Sequence, residues 1–208
     1  MRVFLAVLTS AIPAYLLGGV NGAIITSKLF YRKDIRKYGS GNPGLTNFYR
    51  VFGKGGALLV VVIDVIKAIA PVLLGGWVFR RYYDMAMFGQ AVSGLFVMLG
   101  HCFPVFYKFH GGKGVMAAGA IFIVLDWRIA LISWGAFAII TALTRYVSLG
   151  AMIGVSLFPP FMYAFDLGGI WELIAVTACA VLLVARHQAN IRRLVTGKES
   201  KFSFRRGK

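Results

Sequence analysis

Residues 114–125 read GVMAAGAIFIVL, twelve positions without a charge, and the fold turns on whether this stretch crosses a membrane. A spanning helix needs about 20 apolar residues, within a range of about 17–25. The stretch is short by that measure, yet its surroundings are those of a membrane protein. The chain has 208 residues and is 59% hydrophobic, with a mean hydropathy of +0.75; soluble domains hold roughly 45–50% apolar residues. Six further low-charge windows flank it: Val3–Ser27, Ala57–Phe79 (interrupted by Asp64 and Lys67), Met85–Tyr107, Ile129–Thr144, Tyr146–Phe165 and Leu167–Ala185 (with Glu172). Val3–Ser27 has 25 residues, longer than the roughly 7–15 residues of a signal-peptide core, so it reads as a retained span.

Charge decides the short stretch. With seven crossings and the N-terminus outside, 18 Lys and Arg fall in inner loops and four fall outside. The inner groups are Lys28 to Lys54, Lys108 with Lys113, Arg145, and the eight from Arg186 to Lys208; the outer ones are Arg2, Arg80, Arg81 and Arg128. Asp84, Asp126, Asp166 and Glu172 lie at outer ends. Without the short crossing, the basic C-terminus would lie outside, against the bias of basic loops toward the cytoplasm. The expected fold is therefore all-α, seven transmembrane helices, N-terminus outside and C-terminus cytoplasmic. It forms one membrane domain over 1–208, with a flexible basic tail from about 197. The net charge of +16 is explained by inner loops and a lipid-facing tail; no nucleic-acid motif accompanies it. Cys102 and Cys179 stand alone in apolar surroundings, and no metal-ligand spacing appears.

The inner loops carry the chemistry. YGSGNPGLTNFYRVFGKGG, residues 38–56, has six glycines and no acid. Gly39 to Gly44 matches G-x-G-x-x-G, but it lies between membrane windows and lacks the βαβ setting of a dinucleotide fingerprint. Backbone amides without side chains can approach an anion closely. Ser40, Asn42, Thr46 and Asn47 add neutral donors, and Arg50 can hold two phosphate oxygens at once; the alternative is a solvated turn. A second loop, GHCFPVFYKFHGGKGV at 100–115, repeats the pattern in Gly111, Gly112 and Lys113. It is no Walker A loop, because Gly114 follows the lysine. RYVSLGA puts Ser148 beside Arg145 at an inner end, either as a site residue or as a helix cap. RHQANIRRL places His187 and Asn190 three apart, hence on one helix face. That pair suits substrate positioning or simply a basic collar. Asp64 and Lys67 lie within a span at i,i+3 and read as a structural ion pair, since an ionisable group there costs about 2.5–3.5 kcal/mol.

DIRKYGSGNPGLTNFYR, GHCFPVFYKFHGGKGV, SLGA and RHQANIRRL resemble, in that order, the signature segments of the bacterial acyl-phosphate:glycerol-3-phosphate acyltransferases, the PlsY family. YLLGGVNGAIITSKLF and VVIDVIKAIAPVLL resemble its first two spans, and the likeness runs from about Leu16 to Thr196. One departure is Leu45, where Gly-Ala-Thr-Asn is common and this chain has Gly44-Leu45-Thr46-Asn47. The resemblance implies an enzyme of the bacterial inner membrane, active on its cytoplasmic face. It would join an acyl group from acyl phosphate to glycerol 3-phosphate, giving lysophosphatidic acid and phosphate, without cofactor, metal or CoA. It assigns Ser40, Gly41, Asn42, Thr46 and Arg50 to the first motif, Lys113 to the second, Ser148 to the third, and His187 with Asn190 to the fourth. Catalysis is expected from His187, Asn190, Ser148 and Lys113. Phosphate binding is expected from Ser40, Gly41, Asn42, Thr46, Asn47, Arg50, Gly111, Gly112 and Lys113. The chain is taken as a monomer whose partners are its two substrates and the bilayer. The His with Asp five positions on that thioester-dependent enzymes use is absent, because Phe106, Val115 and Arg192 occupy those positions. A transporter or channel for a small organic anion is the competing class. The one-sided motifs and the lack of a visible inverted repeat or broken-helix pair speak against it.

Overall fold

Asn21 interrupts the first apolar window. Its side chain accepts from the Ile24 backbone N–H at 2.9 Å, so the chain stops one helix and caps another. A computed structural model, which describes residues 2–202, accordingly has α1 over Val3–Gly19 and α2 over Gly22–Tyr31. There follow α3 (Leu45–Phe52), α4 (Ala57–Tyr83), α5 (Ala86–Cys102), α6 (Val115–Leu125), α7 (Trp127–Thr144), α8 (Val147–Ala164), α9 (Ile170–Arg186) and α10 (Gln188–Val195). Among the described residues there is no strand. Among the described residues, five segments are long and apolar enough to cross a membrane: Val3–Tyr31, α4, Ala86–Tyr107 (α5 with the turn after it), α7 and α8. A sixth is the pair α9–α10, bent by 56°. The helix α6, with 11 residues, rises only about 17 Å.

The break in the first segment departs from the uninterrupted span expected there, and α4 supplies its physical reason. Lys67 Nζ donates to the Val20 carbonyl, and the Gly22 N–H donates to Asp64 Oδ1 at 3.1 Å. The backbone groups freed by the break thus meet the two ionised side chains, themselves paired at 2.9 Å. Irregular backbone at membrane depth requires such partners. The third contact of Lys67 is His101 Nδ1, at 2.9 Å, so one ammonium joins α1, α4 and α5.

The helices pack through small residues. A Cβ on Gly89 would lie 2.2 Å from the Gly75 carbonyl oxygen, and one on Gly100 would lie 2.0 Å from that of Tyr15. Such close approach is how helices associate where lipid offers no hydrophobic drive. The central short helix α6 is buried through Ala117, Ala118, Ile121 and Phe122, and Phe122 stacks on Phe158 with centroids 3.9 Å apart. Large apolar side chains such as Leu58, Trp77 and Leu143 point outward. Asp126 caps α7 by accepting from the Arg128 and Ile129 N–H groups. Cys102 and Cys179 are free and buried.

The expected tail is anchored at its start. The Lys198 and Glu199 N–H groups donate to the Arg193 carbonyl, and Phe202 N–H donates to that of Arg145. The remainder of the tail, 203–208, lies outside the described residues.

Candidate active site

The glycine loop is built before it can bind anything. Asp34 accepts from Arg36 at 2.7 Å and caps the short turn Ile35–Lys37. Asn21 Nδ2 donates to the Pro43 carbonyl at 3.0 Å, tying the loop to the helix break. Asn47 closes it from within: Oδ1 accepts from Ser40 N–H at 2.9 Å, and Nδ2 donates to the Tyr38 carbonyl at 3.0 Å. Gly39 has φ +59°, and a Cβ there would lie 2.3 Å from Asn47 Oδ1. The fold therefore uses Asn47 as the internal brace of the loop. Ser40, Asn42, Thr46 and Arg50 remain directed at a cavity of about 600 Å³.

Across that cavity stand the other motifs. Lys113 Nζ donates to Asn190 Oδ1. Burial, followed by the charges of Arg193, Arg186 and Arg50, pulls the ammonium down to about 8, while Glu199 acts the other way. His187 ends α9 at the bend, so it and Asn190 meet across a turn rather than along one straight helix; Asn190 N–H donates to the His187 carbonyl at 2.8 Å. The Leu183 carbonyl, 2.8 Å from His187 Nδ1, can only accept, so Nδ1 carries the proton and Nε2 is an acceptor. Burial drives this imidazole down to about 4, with Lys113 and Arg186 adding to the effect. Ser148 opens α8 and lines the same space.

Gly41, Gly111 and Gly112 stand outside the cavity lining. The Gly112 N–H is spent on the His101 carbonyl, and Arg186 donates to the carbonyls of both Gly111 and Gly112. A Cβ on Gly111 would lie 2.1 Å from the His101 carbonyl oxygen. These two glycines let the loop seat against the end of α5, next to Lys113, with the Gly112 amide bonded to that helix end.

The sequence reading gave four features no place at the cavity. Asp64 and His101 reach the cavity floor, Glu199 lies on its wall, and an apolar trough leads away between α6, α7 and α8. The trough is lined by Met116, Gly119, Phe122, Trp134, Phe137, Ala151 and Val155. One signal was available for Glu199: it is the only acid after Glu172, in an otherwise basic segment. Among the described residues no group of three His, Cys, Asp or Glu side chains gathers as a ligand set.

Membrane-length helices that carry cations, hydroxyls and amides around one cavity, beside an apolar trough, define a membrane protein with a mixed polar and apolar site. Comparison with known proteins makes the class specific. The chain belongs to the glycerol-3-phosphate acyltransferase family, whose model matches residues 8–197. It is 40% identical over 201 residues to the glycerol-3-phosphate acyltransferase of Ralstonia pickettii, covering 97% of this chain and 96% of that one. It also superposes on the crystal structure of PlsY, an integral membrane glycerol 3-phosphate acyltransferase. In that protein's glycerol 3-phosphate form the TM-score is 0.86 at 32% identity, covering 95% of this chain and 96% of the other. In its lysophosphatidic acid form the values are 0.83 and 31%, covering 95% of each.

Proposed function

We propose that this protein transfers an acyl group from acyl phosphate to glycerol 3-phosphate, at the cytoplasmic face of a bacterial inner membrane. The observation that carries the reading is the convergence of Arg50, Lys113, Ser148, His187 and Asn190 on one cavity that continues into an apolar trough. Arg50 and Lys113 hold the phosphates of the two substrates, with Ser40, Asn42 and Thr46 adding hydrogen bonds. The trough takes the acyl chain. The glycerol hydroxyl attacks the acyl carbon, the C–O bond to phosphate breaks, and the hydroxyl proton leaves with the phosphate. His187 Nε2 accepts a hydrogen bond from the attacking hydroxyl. It is the weaker base, at about 4, against roughly 6 for a phosphate's second ionisation, so the departing phosphate takes the proton. Holding the reactants in line can lower such a barrier by about 7–11 kcal/mol, enough to dispense with a covalent intermediate.

Connectivity supports seven crossings, with the N-terminus outside and the C-terminus inside. The start of α6 adjoins the site through Lys113 and Asn190, and α7 returns over 18 residues, about 27 Å, to Arg145, which holds the tail. The intervening α6 therefore runs away from the site, toward the end from which α7 returns. Both broken helices have their breaks beside the cavity, where Asn21 ties to Pro43 and His187 lines the site, and this clustering of polar groups favours catalysis over transport. The monomeric chain holds every group the reaction uses, and the mechanism calls on no metal, CoA or other cofactor.

The test is detergent-purified protein with labelled glycerol 3-phosphate and palmitoyl phosphate. Formation of lysophosphatidic acid is the expected result. Uptake of glycerol 3-phosphate into proteoliposomes without any acylation would replace this reading with the transport one.

A further inference from the structure

Glu199 is an acid in a site that binds anions, which demands a reason. Its side chain is 8% exposed, and both oxygens are engaged. Oε1 accepts from Ser148 Oγ at 2.6 Å and from Asn190 Nδ2 at 2.6 Å; Oε2 accepts from Arg193 Nε at 2.7 Å. The strap that brings it there is fixed at both ends. Its start bonds to the Arg193 carbonyl, and Phe202 exchanges two hydrogen bonds with Arg145, through its N–H and its carbonyl. The Phe202 ring lies 6.2 Å from that of Tyr49, on α3.

A carboxylate placed to block the anion site would pair with the cations that hold phosphate. This one does not: Lys113 donates to Asn190 instead, and Glu199 takes the two neutral catalytic candidates plus Arg193. The consequence is directional. With its Nδ2 held by Glu199, the Asn190 amide must turn Oδ1 to Lys113. With its hydrogen committed to Glu199, the Ser148 hydroxyl presents only lone pairs to the cavity. Ser148 is thereby an acceptor for a substrate O–H, and glycerol 3-phosphate carries a second hydroxyl besides the attacking one, from which His187 Nε2 accepts.

We propose that Glu199 is a positioning residue for acyl transfer, setting Ser148 as an acceptor for a glycerol hydroxyl and turning Asn190 Oδ1 to Lys113, while leaving Lys113 and Arg50 to the phosphates. The proposal rests on the acyltransferase reading above and adds a role for the strap. Its charge also reaches Lys113, which faces Arg193 on α10, Arg186 and His187 at the end of α9, and Arg50 on α3. The Glu199 carboxylate favours the charged Lys113 ammonium, against the three arginines.

The experiment compares full-length Glu199→Gln, Glu199→Asp and Glu199→Ala with the parent, using glycerol 3-phosphate and palmitoyl phosphate. Glu199→Gln and Glu199→Ala are expected to lower kcat about 10- to 100-fold, with KM for glycerol 3-phosphate within about threefold and partial rescue in Glu199→Asp. The alkaline fall of kcat/KM moves to lower pH in Glu199→Gln, which general loosening would not produce. Because truncation could weaken folding, Ser148→Ala with Glu199→Gln gives a second test. If Glu199 acts through Ser148, the double variant is less impaired than the product of the single effects; independent, multiplicative losses overturn the proposal. So does a Glu199→Ala enzyme with unchanged kcat or raised kcat/KM, the behaviour of a plug. A parent inactive with palmitoyl phosphate would instead overturn the acyltransferase reading itself.

Discussion

Lys113→Ala removes the cation that the second glycine loop exists to aim. A unit charge about 4 Å from a phosphate oxygen contributes about 4 kcal/mol at an effective dielectric near 20; partial exposure at the cavity mouth reduces this to about 3 kcal/mol. At 1.36 kcal/mol per tenfold, kcat/KM should fall by about two orders of magnitude. The pH dependence sharpens the test. The Lys113 ammonium, lowered to about 8 chiefly by burial, is charged below that value and neutral above it. In the parent enzyme kcat/KM should therefore fall as pH rises through about 8. Lys113→Arg, whose guanidinium stays charged, should remove that alkaline fall. The assay is initial-rate formation of lysophosphatidic acid across pH 6–10 with a folded, monodisperse sample. A Lys113→Ala enzyme within threefold of the parent at pH 7, or an alkaline limb that survives Lys113→Arg, refutes the phosphate clamp.

Other perturbations test other parts. His187, lowered to about 4 mainly by burial, is neutral across pH 5–8, so no imidazole limb should appear there; a limb near 6.5 abolished by His187→Ala would make it the base. Lys67→Met strands Asp64 and the Val20 carbonyl, and breaking a buried pair costs about 3–5 kcal/mol, so thermal unfolding in detergent should drop markedly; an unchanged Tm contradicts the capped-break account. Gly39→Ala places a Cβ against Asn47 in a backbone with φ +59°; strain of about 1–3 kcal/mol should raise KM for glycerol 3-phosphate, and unaltered kinetics would show that the brace is dispensable. Ala151→Leu narrows the trough, so activity with palmitoyl phosphate should fall more than with a short-chain acyl phosphate; equal losses would place the chain elsewhere.

The spans were legible because each is a long apolar run between charges. The 12-residue window 114–125 folds as the short helix α6, and its reading as a crossing rests on the charge balance of its neighbours. The break at Asn21 was not, because its stability comes from Asp64 and Lys67 on another helix, more than 40 positions on. Ser40, Asn42, Thr46, Arg50, Lys113, Ser148, His187 and Asn190 were picked out by residue type and loop, and they share one cavity. Glycines are harder to read: Gly111 and Gly112 have the pattern of an anion nest and also pack closely against His101, and a sequence does not distinguish the two uses. Glu199 was hidden in a basic tail, and the trough is scattered over three helices as Gly119, Trp134 and Ala151. Both are products of tertiary assembly, and a lone acid in a basic segment was the one local sign of either.

The most direct test of the central claim is product stoichiometry in the purified enzyme. With palmitoyl phosphate and glycerol 3-phosphate, lysophosphatidic acid and inorganic phosphate should appear one for one, and palmitoyl-CoA should yield neither. Acylation from palmitoyl-CoA alone, or phosphate release without acylated glycerol phosphate, would contradict the account.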